Sequence, residues 1–547
     1  ICLSLSISWL LAITVTPYLC VRFLSRIPAI PEAAAYSGRF FHYFRRLVAT
    51  CIDHRYATLA AVLLMLAAAM AGFSRVKQDF MPDMNRPQFT IDVWMPEGTH
   101  IAATTAVLDE IEQYLRRFSG ITDVAAIAGS GALRFLLTYE PQMSDPAYGQ
   151  LLVGVDDYRK IPPMTDRIIT ELKQKYPQAT ISADSFKLGP GGGMVEARLT
   201  GPDIAVLHQL ADRVASIMRA EPQARSIRND WGRPVLSEQL KLSPERAGKA
   251  GIGRAEIAVS SAMNFSGVTV GTYREKDQLL PIIMRSPAAQ RQTIDDLDDL
   301  QVWSNSRQRW FPVSQLCDRH RAVWENPVIR RIDRMRTMSV SGKAVTGTTE
   351  GLFRRLRPRI DTLPLPPDYQ LEWAGEHKAA NEANQKLMSK VPLAFAAMLL
   401  IAVMLFNTVR HPLIIFAGLP LAMTGVAPAM LLAGKAFGFM AMLGVLSLSG
   451  MLIKNEIVLL DQIRIELARG TMPYQAVIAA AVSRLRPVCM AAFTTVLGMI
   501  PLLWDAFFAP MAVAIIGGLT VATGLTLIVV PVWYCLLFKI TNPEKAR

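Results

Sequence analysis

The chain has 547 residues, of which 51% are hydrophobic and only 19% charged, and its mean hydropathy is +0.26. That is too apolar for an ordinary soluble enzyme, whose charged fraction is about 25%. The net charge of +13 would suit a nucleic-acid binder, but where the cations sit argues against that reading.

Seven stretches lack Asp, Glu, Lys and Arg for 18 residues or more: 1–21, 56–74, 391–409, 411–434, 436–453, 487–504 and 506–538. Each can cross about 30 Å of hydrocarbon as a helix. Residues 75–390 hold no such stretch, so the sequence predicts a polytopic α-helical membrane protein with one large soluble insertion. Outside 75–390 there are 16 Lys and Arg against 7 Asp and Glu. Fourteen of those cations fall in 22–55, at Arg410, in 464–486 and from Lys539 onward, all on one side if every window crosses. The positive-inside rule makes that side cytoplasmic and places about 75–390 in the periplasm of a bacterial inner membrane. The basicity therefore reports topology, and no nucleic-acid partner is expected. The first residue is Ile1, inside an apolar helix and without a charged n-region, so the sequence reads as starting in mid-protein rather than at a signal peptide. Of the six cysteines only Cys317 belongs to the soluble insertion, which excludes an intradomain disulfide framework.

In chain order, the first membrane helix (1–22) is followed at 36–53 by a segment rich in aromatics and arginine. Phe40, Tyr43, Phe44 and Leu47 recur there at helical spacing and suit an amphipathic helix on the cytoplasmic membrane face. A second membrane helix covers 55–74. The soluble part then reads as a split βαβ pattern used twice. In 80–187 the expected elements are a strand at 88–95, a helix at 101–118 with Val107, Ile111, Leu115 and Phe118 on one stripe, and a strand at 122–128. A strand at 151–156, a helix at 165–176 and a strand at 179–183 complete that unit. The second unit starts in 194–251, with a strand at 195–200, a helix at 204–220 capped by Gly201-Pro202-Asp203, a strand at 226–229 and a further strand at 235–242. An inserted subdomain at 252–325 interrupts it. It resumes in 326–375 with a strand at 328–341, a helix at 348–360 and a strand at 369–373. The fold class is thus a helical membrane protein carrying two ferredoxin-like α+β units plus an insertion. Five membrane helices fill 391–538.

Chemical signals in the soluble part are few. Gly189-Pro190-Gly191-Gly192-Gly193 precedes a strand, not a helix, and reads as a turn rather than a phosphate cradle. No His/Cys pair has zinc spacing, and the 25 Met are spread through apolar helices. No metal, cofactor or enzymatic activity is expected. The membrane part says more. Lys454 interrupts an apolar helix in Gly450-Met451-Leu452-Ile453-Lys454-Asn455-Glu456, and an ammonium in hydrocarbon is by default functional, facing a carboxylate or a wet cavity. Snorkelling to the interface is the plain alternative. Asp461 shares the Lys454 face, whereas Glu456 points the other way. The next helix is expected to open at Ser483-Arg484-Leu485-Arg486-Pro487, where two arginines before a proline at a helix start read as interfacial cations.

Leu448-Ser449-Gly450-Met451-Leu452-Ile453-Lys454-Asn455, Arg484-Leu485-Arg486-Pro487 and Gly498-Met499-Ile500-Pro501 resemble the last transmembrane helices of resistance–nodulation–division (RND) transporters, hydrophobe/amphiphile efflux branch. Arg86-Pro87-Gln88-Phe89, Leu199-Thr200-Gly201-Pro202-Asp203 and Leu371-Glu372-Trp373-Ala374-Gly375-Glu376 are similar to the family's periplasmic half. The resemblance covers the whole chain but only the C-terminal half of such a pump, from its sixth transmembrane helix onward. It implies a secondary transporter, not an enzyme: a proton-driven multidrug pump that exports amphiphilic small molecules. The implied partners are the N-terminal half, two further copies in a homotrimer, a periplasmic adaptor and an outer-membrane channel on which the insertion docks. The proton gradient replaces any cofactor. The implied relay comprises Lys454, Asn455 and Arg484, with Thr494 or Thr495 standing in for a hydroxyl whose own position holds Ala491. The aspartates that Lys454 would pair with lie on a helix outside this sequence. The family's aromatic gating loop corresponds to 129–148 and offers Phe135, Tyr139 and Tyr148 as substrate contacts. Two alternatives stay open: a metal-ion pump of the same superfamily, and a non-transporting product that needs a complementary N-terminal half.

Overall fold

The structure is a computed structural model that describes residues 2–24, 36, 38–288, 294–318 and 321–542. Seven helical segments are long and apolar enough to cross a membrane: Ser6–Phe23, Arg55–Phe73, Gly375–Phe406, Arg410–Ala433, Phe439–Ala468, Pro473–Trp504 and Ala509–Leu537. These match the seven apolar stretches, with two differences that matter for the site. The Phe439–Ala468 helix continues far past Ile453, which puts Lys454 midway along it. The Pro473–Met499 helix starts fourteen residues before Pro487. Arg484 and Arg486 are therefore helix-interior residues and do not stand at a helix start. The charges at 464–486 had hidden a helix that is half buried against its neighbours through Ala476, Ala480, Ala481 and Leu485.

Close packing in the bundle is made by small residues. Gly425 and Gly517 bring the Met423–Ala433 and Ala509–Leu537 helices into backbone contact, so that a β-carbon on either would overlap the other helix. The span Arg410–Ala433 is broken: α-helix to Gly418, a 3₁₀ turn at Leu419–Ala422 containing Pro420, then α-helix again from Met423. Proline lacks the N–H an α-helix needs there. The Arg39–Asp53 helix buries Phe44, Val48 and Ile52 against the bundle. The expected stripe fits only through Phe44, because Phe40 and Tyr43 are turned outward. The helix thus has two apolar faces, one packed on protein and one free for lipid.

Two larger sheets and three two-stranded ribbons build the described soluble part. The first comprises β1 (Gln88–Trp94), β2 (Ile121–Ala128), β3 (Tyr148–Val155) and β4 (Thr180–Ser185), antiparallel in the order β2-β3-β1-β4. The helices Ile101–Leu115 and Ile161–Lys175 cover one face. The core-facing stripe of the former is Thr104, Leu108, Ile111 and Leu115, one position round from the expected Val107 and Phe118. The second sheet repeats the pattern with β5 (Met194–Thr200) and β6 (Ala224–Asn229). Asp203 caps the helix between them by accepting from the amides of Ala205 and Val206 at 2.8 and 3.0 Å.

The strand expected at 235–242 is present as β7 (Val235–Gln239), but it does not join that sheet. Among the described residues it pairs only with β12 (Arg321–Glu325). Between them lie the hairpin β8 (Val268–Glu275) and β9 (Gln278–Met284), and the ribbon β10 (Gln301–Ser304) and β11 (Arg309–Pro312). Ala250, Ile252, Val302, Val313 and Leu316 share one small core there. By its pairing and its core, the inserted unit begins near 235 rather than 252. Strands β13 (Arg331–Ile332), β14 (Met335–Ala344) and β15 (Gln370–Ala374) complete the second sheet. β14 lies between β5 and β6, and β15 lies on the far side of β5, with the Thr349–Ile360 helix packed against them. Each sheet thus has its first and third strands at the centre.

The soluble part is tied to the membrane helices by the segment after Phe73. Phe437 donates its amide to Lys77 O (2.8 Å), Phe439 donates to Phe80 O (3.2 Å), and Asn85 Nδ2 donates to Trp504 O (2.9 Å). Gly191, Gly192 and Gly193 form a turn with positive φ, and Gly191 packs on the backbone of Gly375 and Glu376 with no room for a side chain.

Candidate functional site

Two polar regions interrupt this apolar architecture. The first is on the membrane helices. Ser447, Gly450, Lys454 and Asp461 recur at helical spacing along the Phe439–Ala468 helix, and all four are exposed. Lys454 and Asp461 have no hydrogen-bond or ion-pair partner among the described residues. Asn455 lies one position round and is buried. Arg484 is turned toward the C-terminal end of the same helix: its Nη2 donates to Gln462 Oε1 at 2.7 Å, and Gln462 Nε2 in turn donates to Glu466 Oε1 at 2.9 Å. Thr494 is exposed and spends its hydroxyl on Ala491 O at 3.0 Å; Thr495 does the same at 2.9 Å. The expected relay residues are thus spread over two neighbouring helices. Lys454 and Thr494 face outward and Arg484 is held in a side-chain network.

The second region is the gap between the two sheets, a cavity of about 910 Å³. Strand alternation creates it. Phe89, Ile91 and Val93 of β1 are buried under helices, so Thr90, Asp92 and Trp94 face the gap. From the other side β14 presents Ser339, Ser341 and Lys343. Asp92 accepts from Tyr148 Oη at 2.7 Å and from Gln150 Nε2 at 2.8 Å, while Tyr139 Oη donates to Gln150 Oε1 at 2.7 Å. Burial, reinforced by the Asp92 charge, pushes the Tyr148 phenol well above its usual value.

Two contacts made by charged side chains bridge the sheets. Lys343 Nζ lies 2.6 Å from Asp184 Oδ2, and the Arg228 guanidinium lies 3.2 Å from the centre of the Trp94 ring. Desolvation would raise the Asp184 carboxyl, but the Lys343 ammonium and then Arg225 outweigh it and hold the group below the ordinary aspartate value. Desolvation lowers Lys343 and is likewise outweighed by Asp184 and Asp92, which leave it above the ordinary lysine value.

Of the three aromatics expected to contact substrate, Tyr139 and Tyr148 line the cavity. Tyr148 is the first residue of β3 rather than part of a loop. Phe135 sits behind the cavity wall, its ring 5.0 Å from Tyr139 and 5.4 Å from Phe186. Asp92, Asp184, Arg228 and Lys343 were not singled out from the sequence. The available signal was polar residues at alternate positions of otherwise apolar strands, as in Thr90-Ile91-Asp92. No group of three or more His, Cys, Asp or Glu able to hold a metal occurs among the described residues.

Comparison with known proteins adds the family. The chain is 24% identical over 512 residues to the cobalt-zinc-cadmium resistance protein CzcA of Cupriavidus metallidurans, covering 88% of this chain and 47% of that protein. It is 24% identical over 551 residues to the nickel-cobalt-cadmium resistance protein NccA of Alcaligenes xylosoxydans xylosoxydans, covering 97% and 51%. The fold matches a crystal structure of a heavy metal efflux pump with a TM-score of 0.74 at 19% identity, over 92% of this chain and 52% of that one. The chain therefore spans about half the length of these relatives. They are named for metal efflux, so the comparisons carry the family expected from the sequence but not its hydrophobe/amphiphile branch. The model of the AcrB/AcrD/AcrF family matches residues 1–538, and the chain belongs to that family of RND efflux transporters.

Proposed function

We propose that this chain supplies the C-terminal part of a proton-driven RND pump of the inner membrane that exports metal cations. The carrying observation is the family match across 1–538, and the metal reading rests on relatives named for cobalt, zinc, cadmium and nickel resistance. In this reading Lys454 presents its ammonium from the outward face of its helix to carboxylates on a complementary N-terminal part. Protonation of those carboxylates releases Lys454, and the helices shift. Asn455, Arg484 and Thr494 support the relay. The inter-sheet cavity is the path of the cargo, with Asp92 and Asp184 as oxygen donors once the bridging contacts open. The working assembly is a homotrimer with a periplasmic adaptor and an outer-membrane channel, and about 75–390 lies in the periplasm.

Export of amphiphiles is the second reading, favoured by the Phe135, Tyr139 and Phe186 rings clustered at the cavity wall. A deletion strain carrying the complete transporter separates the two. Restored tolerance to cobalt, zinc or cadmium without tolerance to dyes and detergents supports metal export, and the reverse pattern supports amphiphile export.

A further inference from the structure

Lys454 faces outward, but another ionisable group of the same helix faces inward. Glu456 is two residues on, which turns it about 200° from Lys454 at 3.6 residues per turn. Its side chain is completely buried within this chain's own helices, and neither carboxyl oxygen has a hydrogen-bond partner among the described residues. It lies directly against Gly418, where an added methyl group would overlap the carboxyl and force it to shift. Gly418 is also the last α-helical residue before the 3₁₀ break at Leu419–Ala422. Just past the break, Thr424 Oγ1 donates to Leu421 O at 2.5 Å. A buried carboxyl thus lies against a discontinuous membrane helix, an arrangement that transporters use for ion binding. Mid-helix 3₁₀ turns frequently mark hinges.

The surroundings decide which ion. An ionised carboxylate with both oxygens unpaired in an apolar interior costs several kcal/mol. The charged or titratable groups on the packed elements are few. On the broken span they are Arg410 and His411, with His411 seven residues before Gly418, about 10 Å along the axis. On the Pro473–Met499 helix Arg484 is engaged by Gln462, Tyr474 donates to Asp53, and Arg486 and Cys489 are exposed. On Ala509–Leu537 they are only Tyr534 and Cys535. On its own helix Lys454, Asp461 and Arg464 are exposed, and Glu466, ten residues on, is taken up by Gln462 and Arg469. Among the described residues no hydrogen-bond donor or ion-pair partner meets the carboxyl, and a neutral, protonated carboxyl avoids that cost.

We propose that Glu456, set against the break at Gly418, is a second protonation site of the membrane bundle, taking its proton from water and returning it to water as the break opens and closes. This goes beyond the Lys454 reading, which uses the opposite face of the helix, and depends on the pump reading only for its purpose. Infrared spectroscopy of the full chain in lipid bilayers tests it without any transport assay. The wild-type minus Glu456→Gln difference spectrum at neutral pH should show one protonated carboxylic carbonyl band that shifts in heavy water. The band should disappear reversibly at alkaline pH and be indifferent to sodium. Gly418→Ala, which crowds the carboxyl while retaining it, should move both the band and its titration. An absent band means an ionised group and overturns the proposal. A band that never titrates makes Glu456 a fixed packing element, and one displaced by sodium at constant pH makes the site a metal-cation site; either result also overturns it. A Gly418→Ala spectrum identical to wild type contradicts the placement. A pump shown to be inactive would leave the infrared result standing.

Discussion

Lys343 and Asp184 show how much one buried pair can hold. Their side chains are 16% and 21% exposed and come from different sheets, so each compensates a charge that would otherwise stand alone in the gap. Removing one partner of such a pair typically costs about 3–5 kcal/mol, whereas removing both costs much less. Lys343→Met or Asp184→Asn should therefore lower the thermal midpoint clearly, and the double variant should recover most of the loss. A double variant as unstable as the sum of the singles would contradict the pairing. The acid limb follows from the sign of the shift. Asp184 is held below its ordinary value of 3.8, so its contribution is present above that pH and is lost as pH falls through the lower folded value. Lys343 is held above 10.5, so its contribution is present below that pH and is lost as pH rises through the higher folded value. Across neutral pH the clamp should not titrate, which thermal unfolding at stepped pH can check. Arg484 is a weaker lever. Arg484→Ala leaves Gln462 its bond to Glu466, so transport by the complete pump should fall less than in a Lys454 variant.

At the scale of elements, what the sequence made legible was local. Apolar alternation marked β1 and β5 to within a residue, whereas the strand expected at 328–341 is β14 starting only at Met335; Asp203 announced the helix it caps. Partnership was not legible. Val235–Gln239 reads as a strand from its own residues, yet nothing in them says that its ladder is with Arg321–Glu325, some eighty residues later. Likewise, Arg484 and Arg486 looked interfacial because the charges around them broke the apolar count, although Ala480, Ala481 and Leu485 pack that stretch into the bundle. The revised boundary gives a prediction. Deleting 235–325 and bridging the gap should leave both sheets folded, because β6 and β14 already pair without it. Near-native circular dichroism and protease resistance of the remainder are expected, together with lost coupling to the outer-membrane channel. Unfolding of the whole soluble part would show that the inserted unit is structural instead.

For the molecule as a whole, charge distribution and apolar stretches already dictated a membrane bundle with one large extramembranous part, and seven candidate spans realise it. What neither composition nor periodicity could reveal was the polar gap between the sheets, which exists only once two strand faces are brought together. The orientation argued from the cations predicts that a reporter active only in the periplasm is silent when fused after Arg547 and active when fused into the loop near Gly347. The opposite result would reverse the topology. The central claim is that the molecule is a metal exporter driven through Lys454. Cellular accumulation of radioactive zinc or cobalt tests it most directly, in a strain lacking its own metal pumps and expressing this chain together with a complementary N-terminal part. The account predicts several-fold lower accumulation than in the empty strain, and accumulation restored to the empty-strain level by Lys454→Met at unchanged membrane abundance. Equal accumulation with and without the wild-type protein, or full export by the Lys454→Met form, would contradict it.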